Sequence, residues 1–129
     1  MAGPTAVQRS FRAEAAAVSD ARRFAVEAWN GLCDGSGDEV NGGMPLVVSE
    51  LATNAVLHAG SGFAVTLTHD DDVMRVAVAD DERERPAPVD AASSAVGGRG
   101  LRIVDLLADR WGVDDLADGK SVWVEFRLD

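Results

Sequence analysis

Apolar residues follow two periods along the chain, and the switches between them mark its elements. Between Met44 and Gly60, Met44, Val48, Leu51, Ala52, Ala55 and Val56 gather on one arc of a helix. Glu50, Asn54 and His58 recur at four-residue intervals on another flank, so the helix has a core face and a separate polar stripe. Alternation by twos in FAVTLTH and VMRVAVAD predicts two strands joined by an acidic HDDD turn. The in-phase Val122, Val124, Phe126 and Leu128 predict a further strand, paired with its predecessor around an Asp118-Gly119 turn. VQRSFRA reads as a short edge strand. A helix is expected to begin at Ser19 or Asp20 and to run through Arg22, Phe24, Val26 and Trp29 toward Leu32. Another, entered through glycines, carries Leu101, Val104, Leu107 and Ala108 near one side.

Two stretches hold no period. Residues 33–43 belong to a glycine-rich connection, and residues 81–98 form a long loop with two prolines, a length that in compact domains marks lids and binding loops. Strands and helices mix without regular alternation, which predicts an antiparallel or mixed sheet covered on one face by helices.

Composition narrows the class. A chain of 129 residues with 47% hydrophobic and 26% charged residues fits one globular domain with its own core. The net charge of -10 opposes sequence-independent nucleic-acid binding, which relies on clustered Lys and Arg. It favours a protein partner with a basic surface. No apolar run is long enough to span a membrane, and MAGPTAVQRS lacks a secretory pattern, so the cytoplasm is the expected compartment. The lone Cys33 forbids an internal disulfide and reads as a bystander in a loop.

Three features carry candidate chemistry. Asp80 ends its strand in phase with Met74, Val76 and Val78, so its carboxylate points toward the helix-covered side, where it needs a partner or caps the following loop. An amino group on a bound ligand would serve as that partner. Gly97, Gly98 and Gly100 precede a helix directly, letting backbone approach phosphate oxygens at a helix N-terminus, with Arg99 adding charge. Gly119, Lys120 and Ser121 end like a P-loop, but Asp114 stands where its first glycine belongs and a strand follows, so GKS reads as a hairpin turn. His58, His69 and Cys33 lack zinc spacing.

In that order, SELATNAVLHA, VAVAD, GGRGLRIVDLLADRWG and GKSVWVEF resemble the GHKL ATPase and kinase superfamily, and within it the anti-sigma factor serine-protein kinase group. The likeness runs from about Phe11 to Leu128 and treats residues 1–129 as a single histidine-kinase-like ATPase domain. It implies the Bergerat fold, an α+β two-layer sandwich with helices on one face of a mixed, mainly antiparallel sheet, and ATP under a lid at 81–98. By the same resemblance, Asn54 binds the Mg2+ that bridges the ATP phosphates and Glu50 activates the acceptor hydroxyl. Asp80 accepts from the adenine amino group, Gly98, Gly100 and Leu101 contact phosphates beside Arg99, and Ser121 lies near adenine. One departure stands out: the family's D-x-G-x-G box is here Asp80-Asp81-Glu82-Arg83-Glu84, without either glycine.

The resemblance implies a serine/threonine-protein kinase that transfers the ATP γ-phosphate to an anti-anti-sigma (STAS-type) partner, binds a sigma factor, and forms a homodimer. The alternative is a non-catalytic module of the same fold that sequesters a sigma factor or another regulator, a reading the missing glycines support. A sensor histidine kinase domain fits less well, since few residues precede the matched region.

Overall fold

The computed structural model describes residues 5–33, 43–58, 62–81 and 102–128. Among the described residues, five strands form one sheet: β1 (Thr5–Phe11), β2 (Phe63–Asp70), β3 (Val73–Asp80), β4 (Arg110–Leu116) and β5 (Gly119–Arg127). Their spatial order is β1-β2-β3-β5-β4, and among the described residues every pairing is antiparallel, the first of the two arrangements expected, antiparallel or mixed. Helices α1 (Ala15–Leu32) and α2 (Met44–His58) pack on it, giving the expected α+β two-layer fold.

Helix α1 begins several residues before the predicted Ser19 or Asp20. Ala15 and Ala16 are strong helix formers outside the buried stripe, so propensity extends the helix where patterning stops. Its buried stripe is Ala17, Ala21, Ala25 and Trp29, small side chains that let the helix approach its neighbours closely before one large ring fills the far end. Trp29 is fully buried and meets Phe126 edge-on at 5.6 Å. Cys33 is not in a loop: it is buried at the end of α1, its N–H donating to the Trp29 carbonyl.

Helix α2 places Pro45 in its first turn, where an unused N–H costs nothing. Met44, Val47, Val48, Leu51, Ala52 and Ala55 are buried, as predicted but for Val47 joining the core face and Val56 lying only partly buried. They share that core with Val65, Leu67, Met74, Val76 and Val124 from the sheet. Residues 102–107 form a short helix, α3, whose Val104 is fully buried and whose Leu107 packs against Gly43 while staying partly exposed. The Trp111 indole donates to Asp105 at 3.1 Å, and the Asp109 carboxylate accepts from the Arg127 N–H at 2.7 Å, fastening α3 to the last two strands.

The two hairpin turns differ from each other. Asp71, with φ 57, supplies the left-handed residue of the β2–β3 turn, a conformation Asp tolerates. The β4–β5 loop consists of Ala117 and Asp118, and Gly119 already belongs to β5. On the sheet face away from the core, Trp123 lies beneath the Arg75 guanidinium at 4.3 Å and near that of Arg110 at 5.9 Å, with Glu125 beside both arginines.

Candidate functional site

The sheet register builds the site. Reading across the strands on the helix-covered face, Phe11, Phe63, Asp80, Lys120 and Asp115 form one row. Asp80 occupies that row because period-two alternation carries it in from Met74, Val76 and Val78, as the sequence predicts. Its partner is a surprise. Lys120 Nζ donates to both Asp80 carboxylate oxygens, at 3.0 and 3.1 Å, and the two side chains are only 10% and 5% exposed, respectively.

The GKS stretch predicts a turn at Lys120. That residue lies instead on β5 in phase with Val122, Val124 and Phe126, and it is the buried charged residue of the described core. A buried charge needs a partner of opposite sign, and Asp80 provides it from the neighbouring strand. The signal was in the sequence: counting by twos back from Phe126 reaches Lys120. Gly119 allows the pair to form, since a Cβ there would overlap the Asp80 carbonyl oxygen.

Helix α2 contributes the polar stripe. Glu50 and Asn54 stand one turn apart, half-buried and off the arc of Met44, Val48, Leu51 and Ala55. No hydrogen bond or ion pair joins either side chain to another described residue, whereas the neighbouring Ser49 hydroxyl accepts from Arg22 at 3.3 Å. The helix packs across β3, the strand that ends in Asp80. His58 is its last residue.

Ser121 is not brought to this side. It pairs with Ala79 and Asp114, and alternation turns it to the opposite face from Asp80 and Lys120. Gly98, Arg99, Gly100 and Leu101, together with the loop at 82–98, the connection at 34–42 and the glycines after His58, lie outside the described residues.

A carboxylate and an amide on one flank of α2, and a desolvated Asp–Lys pair where β3 ends against β5, are the polar groups of a two-layer α+β domain. Residues 11–126 match the histidine kinase-like ATPase domain family, and the chain belongs to it. Membership supports ATP binding in a regulatory protein. No curated protein matches the chain in sequence. Among the described residues, no helix is long and apolar enough to cross a membrane.

Proposed function

We propose that this domain is an ATP-binding serine/threonine-protein kinase that acts as an anti-sigma factor, phosphorylating an anti-anti-sigma partner. The observation that carries the reading is the pairing of Glu50 and Asn54, one turn apart on α2, half-buried and without other partners. Phosphoryl transfer asks mainly for positioning and charge stabilisation, and this flank offers one proton acceptor and one neutral oxygen ligand.

The donor set suits Mg-ATP. No cluster of three or more His, Cys, Asp or Glu able to hold a metal occurs among the described residues, and Mg2+ commonly takes one or two protein oxygens and completes its shell with water and phosphates. The Asn54 amide oxygen would be such a ligand, and Glu50 would take the proton of the acceptor hydroxyl. Asp80 would accept from the adenine amino group, with Gly98, Arg99, Gly100 and Leu101 at the phosphates. When bound, Mg-ATP supplies the transferable phosphoryl group. Calorimetric titration with Mg-ATP tests the binding, and the reading fails if millimolar ligand gives no heat. Transfer of labelled phosphate to a cognate partner should vanish in Glu50→Ala, and full transfer by that variant removes Glu50 from its role.

A second reading draws on a different observation. Lys120 already satisfies the carboxylate that the adenine would use, and the glycines after Asp80 are replaced by Glu82 and Glu84. Under it the domain binds a sigma factor or another regulator without turnover. Partner binding that is indifferent to ATP and leaves the partner unphosphorylated favours this module over the kinase.

A further inference from the structure

The two edges of the sheet meet solvent differently. Strand β4 carries Arg110, Asp114 and Asp115, charges that oppose pairing with a further strand. Strand β1 carries only Arg9, has no proline, glycine or bulge, and pairs with β2 residue for residue from Thr5↔His69 to Phe11↔Phe63. It stands first in the strand order and has no neighbour on its other side among the described residues, so the N–H and C=O groups there can receive an added strand. The helices leave that space open. Thr5, Val7 and Arg9 share the helix-covered face with Phe11, yet all three are exposed, whereas Val65 and Leu67, paired with Arg9 and Val7, are fully buried. The helical layer therefore ends near β2, with Phe24 of α1 reaching Phe11 edge-on at 6.1 Å.

Charge identifies the occupant. Residues 1–13 contain Arg9 and Arg12 and no acidic residue, in a chain whose net charge is -10. The β1 edge is thus a cationic strip on an acidic protein, and locally it calls for the opposite of the basic partner that the overall charge favours. Arg9 lies over the Phe11 ring at 5.3 Å, and its guanidinium makes no ion pair with another described residue. We propose that β1 receives an extended acidic segment of a protein partner as a further antiparallel strand, with a carboxylate opposite Arg9 and apolar side chains opposite Val7 and Phe11. Alternation puts these three positions on one face, so the matching motif is apolar-x-acidic-x-apolar. Main-chain hydrogen bonds supply the attachment, and the three side chains select the sequence. A second copy fits less well, since β1 against β1 sets cation beside cation. The surface uses neither Glu50 nor Asn54, and it stands whether or not the domain binds ATP.

The test titrates the isotope-labelled full chain with the capped peptide Thr-Val-Thr-Glu-Thr-Val-Thr and with its counterpart that has Lys in place of Glu. The glutamate peptide should shift the amide resonances of Thr5–Phe11 and slow hydrogen exchange at the outward-facing amides of that strand. The lysine peptide should bind about threefold to tenfold more weakly. In Arg9→Glu, a change at an exposed side chain, the preference should invert. Unaltered exchange along β1 at millimolar glutamate peptide overturns the proposal. Equal binding of the two peptides by the wild type does so as well, and that comparison requires no variant to fold. Concentration-dependent protection of β1 without peptide, accompanied by dimers in analytical ultracentrifugation, also overturns it, since the edge would then belong to a second copy.

Discussion

Gly119 lies directly against the backbone of Asp80: a Cβ at position 119 would overlap the Asp80 carbonyl oxygen and stand 2.6 Å from the Asp81 Cα. Atoms of the main chain cannot swing aside as a side-chain tip can. Gly119→Ala must therefore part the start of β5 from the end of β3, and it should cost about 1–3 kcal/mol in urea denaturation. Because the same approach sets Lys120 beside Asp80, the variant should also lose Mg-ATP affinity. Wild-type stability in this variant would show that the strands yield more readily than the contact implies.

The pair that Gly119 admits has its own thermodynamic signature. Removing one partner takes from the other the two bonds of this buried ion pair, so Asp80→Asn and Lys120→Met should each lose stability, by up to about 3–5 kcal/mol. The double variant leaves no net buried charge and should recover a large part of the combined loss. Denaturation midpoints of the four proteins complete the cycle, and strictly additive losses would mean that the two groups are not coupled.

How far the sequence leads depends on the range of the interaction. Strands β2, β3 and β5 were legible because each buries one face, so alternation alone identifies Val65 and Leu67, Met74 and Val76, Val122 and Val124. The core face of α2 was legible for the same reason at the helical period. The start of α1 was not, since its alanines form helix without marking a face. Lys120 was missed because its role comes from a residue forty positions away, and only the β3–β5 register reveals that they meet. Local chemistry places Gly119 in a turn, whereas its small size serves a contact with a distant strand. Ser121, chosen by family resemblance, falls on the other face by the alternation that buries Lys120.

Asn54 separates function from folding. Its side chain is half-buried and tied to no other described residue, so Asn54→Ala should change stability by no more than about 0.5 kcal/mol. If Asn54 holds the phosphate-bridging Mg2+, the same variant should lose most Mg-ATP affinity. Thermal denaturation and calorimetry on one preparation decide the matter, and unchanged affinity would release Asn54 from the metal role.

Trp29 tests what holds the two layers together. The ring is fully buried at the C-terminal end of α1 and packs edge-on against Phe126, so Trp29→Ala should cost about 3–5 kcal/mol through lost burial and the cavity left behind. Among the described residues its indole N–H is buried without an acceptor, and a donor in that state costs about 1–3 kcal/mol. Trp29→Phe keeps an aromatic ring near Phe126 and sheds the orphaned donor, which offsets part of its smaller volume. The phenylalanine variant should therefore lose about half as much stability as the alanine variant, or less, when the two are compared by urea denaturation. Equal losses would show that indole shape, rather than aromatic burial, is what this end of the core requires.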